Sequence, residues 1–138
     1  MIVADTGALV ALIDADDRHH ESLREVFEAD PNLWVLPWAV LPEVDYLLAT
    51  HLGAHAEEAF LDDLATGGYS VEWGEEPDLV RANELCRKYR SSSLGLVDAV
   101  VMAVAERLHA RAIATLDIRH FGAVRIRGEP RLLPRDLP

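Results

Sequence analysis

Met1-Ile2-Val3-Ala4-Asp5-Thr6-Gly7-Ala8-Leu9-Val10-Ala11-Leu12-Ile13 opens the chain, and its reading decides the fold. The apolar run from Ile2 to Ala4 closes on a single acid and passes straight into an apolar helical pattern with Thr6 near its start. A short continuous apolar run bounded in this way reads as a buried strand over residues 2–5, followed by a short helix over 6–13. Asp5 therefore sits at a strand-to-helix turn, the place where open parallel sheets put their ligands.

The same alternation continues outward. Residues 18–29 form an amphipathic helix with Leu23, Val26 and Phe27 on one side, Asp30-Pro31-Asn32 breaks it, and Leu33 to Leu36 forms a second short strand. Pro37 is expected to open a helix that runs to about Leu52 and stops at Gly53, and another helix covers Ala54 to Leu64 before Gly67-Gly68. Tyr69 to Trp73 reads as a third strand. Leu79–Tyr89 and Leu96–His109 read as helices around the polar break Ser91-Ser92-Ser93, Ala112–Thr115 as a fourth strand, and Val124–Ile126 as an edge strand. No repeat, low-complexity segment or long linker interrupts this order. The expected architecture is one α/β domain over residues 1–138, with a central parallel sheet flanked by helices.

Composition narrows the class. Half of the 138 residues are hydrophobic, enough for an ordinary core. No apolar run approaches the roughly 18 residues that cross a bilayer, and the amino terminus lacks a basic region before a cleavable apolar segment, so a cytoplasmic location is expected. The lone Cys86 excludes an internal disulfide framework and a cysteine-based zinc site, and its helical neighbours Ala82, Leu85 and Tyr89 place it in the core. The net charge of −11 argues against a nucleic-acid partner until its distribution is considered. Residues 107–138 carry seven arginines (Arg107, Arg111, Arg119, Arg125, Arg127, Arg131 and Arg135) against three acids, and arginine suits bidentate phosphate contact.

Four acids stand apart from the solvated runs Asp14-Ala15-Asp16-Asp17 and Asp62-Asp63. Asp5 and Asp117 each follow an apolar strand. Glu43 falls beside the stripe of Val40, Val44, Leu47 and Leu48, so it is expected on the covered side, with Asp45 about 200° further round toward solvent. Asp98 lies in the first turns of a helix that is apolar almost all round, where the amino-terminal dipole helps hold it ionised. Taken singly, a salt bridge explains Glu43 and a helix cap explains Asp98. Four converging carboxylates would instead raise one another's pKa values and call for a hard cation such as Mg²⁺ or Mn²⁺. Such an ion polarises a phosphoryl oxygen and generates hydroxide from water, the chemistry of phosphodiester hydrolysis.

Ile2-Val3-Ala4-Asp5-Thr6-Gly7-Ala8-Leu9, Leu41-Pro42-Glu43-Val44-Asp45-Tyr46-Leu47-Leu48, Gly95-Leu96-Val97-Asp98-Ala99 and Thr115-Leu116-Asp117-Ile118-Arg119-His120-Phe121 together resemble the PIN-domain family, and more narrowly the VapC toxins of toxin–antitoxin pairs. The likeness spans nearly the whole chain in family order, and the last motif is the most specific. It implies a twisted parallel sheet flanked by helices and a Mg²⁺- or Mn²⁺-dependent endoribonuclease acting on tRNA or an rRNA loop. Asp5 and Asp98 would be the most direct metal ligands, with Glu43 and Asp117 completing the site and metal-activated water as nucleophile. Thr6 and Thr115 would orient carboxylates or waters. Arg119 would contact a phosphate or form a salt bridge to one of the acids, and His120 is read as structural rather than as a general base. The family also implies a homodimer held by a VapB-like antitoxin. Trp34, Trp38 and Trp73 are read as core or dimer residues ahead of a partner groove.

Two other classes meet resistance in the residues. An aspartate-based phosphatase would want a second Asp two positions after Asp5, where this chain has Gly7, and a phospho-receiver would want a late strand-end lysine, whereas the only lysine, Lys88, falls in a helix. A non-catalytic PIN-like binding module would be expected to have lost an acid, and none is missing.

Overall fold

The computed structural model describes residues 1–138 and turns four of the five apolar runs read as strands into short parallel strands, with a fifth strand further along the chain. The strands are β1 (Ile2–Ala4), β2 (Trp34–Pro37), β3 (Ser70–Glu72), β4 (Ala112–Ala114) and β5 (Arg131–Leu133), in the spatial order β3-β2-β1-β4-β5. All four pairings are parallel. Such strands need covering on both faces, which is why Ile2, Val3 and Ala4, and Ala112, Ile113 and Ala114, are buried without alternation.

Seven helices connect and cover the sheet: α1 (Thr6–Ile13), α2 (His20–Ala29), α3 (Leu41–His51), α4 (Ala54–Ala65), α5 (Glu76–Lys88), α6 (Leu96–Arg107) and α7 (Ile118–Phe121). α1 packs on α2 and α3, α3 on α4, and α5 on α6, while α6 also lies against β1 and β2. One continuous core of 34 buried residues joins the sheet to these helices. Gly53, at φ 96°, ends α3 and starts α4 in a conformation that side-chain-bearing residues avoid.

Chain order and spatial order part company beside β1. The chain steps from β1 to β2 to β3, then returns to β4 on the other side of β1. Ala4 pairs with Ala114, and the Asp5 N–H donates to the Ala114 carbonyl at 2.8 Å. The residues after β1 and β4 are thereby neighbours at a topological switch point, at the carboxyl ends of the strands.

The structure corrects several boundaries. Pro37 does not open a helix: it ends β2 in extended backbone, a 3-10 turn follows over Trp38–Val40, and Pro42 takes the first-turn position of α3, where a missing N–H costs nothing. Val124–Ile126 is not a strand. Val124 and Ile126 are buried, but the Arg125 N–H goes to the Tyr89 hydroxyl and the Arg127 N–H to Glu106, leaving the edge to Arg131–Leu133. α5 begins earlier than expected, at Glu76, because Glu75 and Asp78 form a reciprocal capping box. Trp34 is core, whereas Trp73 is exposed.

A candidate metal centre at the sheet switch point

Asp5 is buried, and the Thr115 hydroxyl donates to its Oδ2 at 2.9 Å. The same hydroxyl oxygen accepts the Asp117 N–H at 3.1 Å, so one threonine ties the end of β1 to the start of α7. Burial pushes the Asp5 carboxyl up to about 6; the Thr115 hydroxyl and the Thr6 N–H oppose that, and the charges of Asp98 and Asp117 add to it. Asp98 is half-buried in the first turn of α6, and its carboxyl is raised by burial first and then by Asp117 and Glu43, against the opposing charge of His120. The four predicted acids therefore share one electrostatic neighbourhood.

Single-residue explanations fail for two of them. Asp98 does not cap α6, whose capping residue is Gly95, and it makes no side-chain hydrogen bond or ion pair. Glu43 forms no ion pair either, and sits in the first turn of α3. Its exposure corrects the helical-stripe expectation: Glu43 is exposed and Asp45 half-buried. α4 covers the Asp45 side of α3, one Asp45 oxygen is buried without a partner, and Asp45 pushes the Glu57 carboxyl upward.

Asp117 is the acid that does have a structural role. Its Oδ1 caps α7 by accepting the His120 N–H at 3.0 Å, and its Oδ2 meets His120 Nδ1 at 2.8 Å. The other ring nitrogen, Nε2, donates to the Ser92 carbonyl at 2.8 Å. With Asp117 ionised, both ring partners only accept, so both nitrogens carry protons and the imidazolium is the bound form. Hydrogen bonding to Asp117 and then to Ser92 raises the His120 pKa accordingly. His120 is structural, as its sequence suggests, but the atom it holds belongs to the site. The three-residue spacing of Asp117 and His120 across a helix start was the available signal.

The donor set fits a hard divalent cation. One ligand atom each from Asp98, Asp117 and His120 lies within 4.8 Å of the others, and the buried Asp5 carboxylate, which feels the charges of Asp98 and Asp117, has the Thr115 hydroxyl and the Thr6 N–H but no cation as partners. Because His120 has both nitrogens engaged, the oxygens of Asp5, Asp98 and Asp117 are the available donors, with Glu43 at the exposed edge. Thr6 is buried with its hydroxyl unpartnered, and Arg119 is exposed and bridges to none of the acids.

The PIN domain family model matches residues 2–126. Ribonuclease VapC26 of Mycobacterium tuberculosis is 35% identical over 124 residues, covering 90% of this chain and 92% of that protein. The chain belongs to the PIN domain family, among the VapC proteins. Solved structures share the fold at lower identity. VapC20 of Mycobacterium tuberculosis, a sarcin-ricin loop cleaving toxin, superposes with a TM-score of 0.77 at 21% identity, over 91% of this chain and 97% of that one. VapBC2 from Rickettsia felis, bound to a DNA fragment from its promoter, gives 0.68 at 18% identity over 96% and 97%. FitAcB from Neisseria gonorrhoeae gives 0.64 at 16% identity over 96% of each chain. In this PIN domain the four sequence-predicted acids lie around the switch point, and no helix is long and apolar enough to cross a membrane.

Proposed function

We propose that this PIN domain is a Mg²⁺- or Mn²⁺-dependent endoribonuclease, the toxin of a pair silenced by a VapB-like antitoxin, acting in the cytoplasm as a homodimer on tRNA or an rRNA loop. The observation that carries the reading is the set of acids at the sheet switch point, of which only Asp117 has a cationic partner, His120. Its 35% identity to a VapC ribonuclease supports the RNA class. A bound divalent cation would supply Lewis-acid polarisation of a phosphoryl oxygen and an acidified water. The chain's own residues prepare that chemistry. Thr115 fixes the Asp5 carboxylate, His120 fixes Asp117 through both oxygens, and the amino end of α6 favours ionised Asp98. Arg119, unpaired and two residues from Asp117, is assigned to a phosphate of the bound RNA.

The test is incubation of purified cellular RNA with the antitoxin-free chain in Mg²⁺ or Mn²⁺, with and without chelator, followed by mapping of new 5′ ends. Discrete cuts that vanish on chelation are expected. Cuts that persist in chelator, or no cuts from folded, metal-supplied protein, would remove the reading. A finer outcome concerns Thr115. Replacing it by Val keeps the shape but removes the hydroxyl between Asp5 and the Asp117 N–H, and Mn²⁺ affinity should fall roughly tenfold or more. Calorimetric Mn²⁺ titration checks this, and an unchanged affinity would show that the hydroxyl does not position the acids.

A further inference from the structure

A chain of net charge −11 can receive a polyanion only where cations are both free and gathered. The arginine-rich tail does not meet that condition by itself. Arg107, Arg127 and Arg135 are tied to carboxylates, and Arg111 and Arg131 stand at the amino ends of β4 and β5, away from Asp5. Only Arg119 and Arg125 of the tail remain exposed and unpaired elsewhere, and folding brings others to them.

Contacts on either side of α7 locate these others. On one side Arg18, His19 and Arg135 line a groove of about 600 Å³ with Ile118, and its wall includes Thr115, whose hydroxyl holds Asp5. Arg18 has no carboxylate partner and leans on His19 Nε2 at 3.2 Å; Glu25 is the one acid in the lining. On the other side, the Ser92 carbonyl meets His120 and presses the 3-10 turn Arg90–Ser92 against α7. There the Tyr89 hydroxyl takes the Arg125 N–H at 3.1 Å, and Lys88 Nζ lies 5.5 Å from the Tyr89 ring centre. Lys88, Arg90 and Arg125 are exposed and free of carboxylates. Arg119 stands in the chain between Ile118, which lines the groove, and His120, which touches the turn.

We propose that a single strand of RNA crosses the acidic centre over α7, its backbone held by Arg18 in the groove, by Arg119 beside the centre, and by Lys88, Arg90 and Arg125 beyond it. This path rests on the ribonuclease reading and specifies how an acidic protein holds its substrate. Free cations on both sides of a phosphodiester-directed centre suit a continuous backbone, and four of the five are arginines, whose planar fork matches phosphate oxygens.

The experiment measures binding of a fluorescein-labelled ten-nucleotide single-stranded RNA to the Asp98→Asn chain in Mg²⁺ over a range of salt. Arg18→Gln, Arg119→Gln and the double variant Arg90→Gln/Arg125→Gln are compared with Arg111→Gln and Arg131→Gln. All sites are exposed, and unchanged melting temperatures verify folding. Each path variant is expected to weaken binding roughly fivefold at low salt and to reduce the slope of log Kd against log salt by about 0.7 per lost contact, while the two amino-end variants bind like the parent. Equal losses at all sites, or none at the path sites, would overturn the path even if the wild-type chain cuts RNA. A wild-type chain that neither cuts nor binds RNA removes the ribonuclease reading and the path together. Loss of polyglutamate binding with RNA binding intact would also overturn it, by assigning the surface to an acidic protein partner.

Discussion

Asp5→Asn is expected to end RNA cleavage while making the metal-free protein more stable at neutral pH. The loss follows from removing one anionic oxygen donor at the buried end of the proposed centre. Metal-centred charge stabilisation is worth several kcal/mol, so cleavage should drop on the order of 10³-fold or more, and Asp98→Asn should match it. The gain follows from the Asp5 carboxyl, pushed from an ordinary 3.8 to about 6, chiefly by burial. A carboxyl raised in the folded state favours its proton there, so its ionisation costs stability. That cost is absent below about pH 4, develops between pH 4 and 6, and is complete above 6, on the order of 3 kcal/mol.

The amide variant escapes this cost and can still accept the Thr115 hydroxyl. Its melting temperature in chelator should exceed the parent's by several degrees at pH 7.5, and the difference should shrink as pH falls from 6 and close below about pH 4. Adding Mn²⁺ should stabilise the parent more than the variant, because the cation binds the folded carboxylates. A variant less stable than the parent at pH 7.5 would show that Asp5 already has a compensating partner in the apo protein. A variant that still cuts RNA would remove Asp5 from the centre.

That opposition between stability and function explains why the site was legible before the fold was known. A lone acid closing the run Ile2-Val3-Ala4 breaks the local rule that buried strand ends stay apolar, and Asp117 after Ala112-Ile113-Ala114 breaks it again. Their meeting was legible only through the family resemblance and not from local pattern, because it depends on β4 returning to lie beside β1, a pairing between residues more than a hundred apart in the chain. Local pattern also misled where two surfaces compete for one helix. Val44 and Leu48 mark the buried stripe of α3, but α4 covers a second side, so Asp45 is half-buried and Glu43 open. Val124 and Ile126 alternate with Arg125 like a strand, yet their segment spends its amides on Tyr89 and Glu106. The tail arginines misled in the same way, since charge along the chain says nothing about which carboxylates it will meet.

Arg107 shows the consequence of such a meeting, and Arg107→Met is the substitution expected to cost most stability. Three acids converge on this guanidinium: Asp78 at 2.7 Å, Glu72 at 2.7 Å and Glu75 at 3.6 Å. Asp78 is buried and also takes the Glu75 N–H at 2.9 Å, so the same carboxylate both starts α5 and receives α6. Its hydrogen bonds push the Arg107 pKa further upward. Taking the arginine away leaves a buried carboxylate beside two others, an uncompensated charge worth about 3–5 kcal/mol. Against a typical total of about 5–15 kcal/mol, that places the variant close to unfolding. By contrast, Arg24→Ala breaks a pair exposed on both sides, 60% and 59%, which solvent screens, and should leave the urea midpoint nearly unchanged. Urea midpoints distinguish the two. α5 and α6 form the most extensive helix pair in the molecule, and α6 carries Asp98, so loosening this lock should also lower metal affinity. A Arg107→Met chain with parental urea midpoint and parental Mn²⁺ affinity would show that edge strand β3 and its helices hold without the ion cluster.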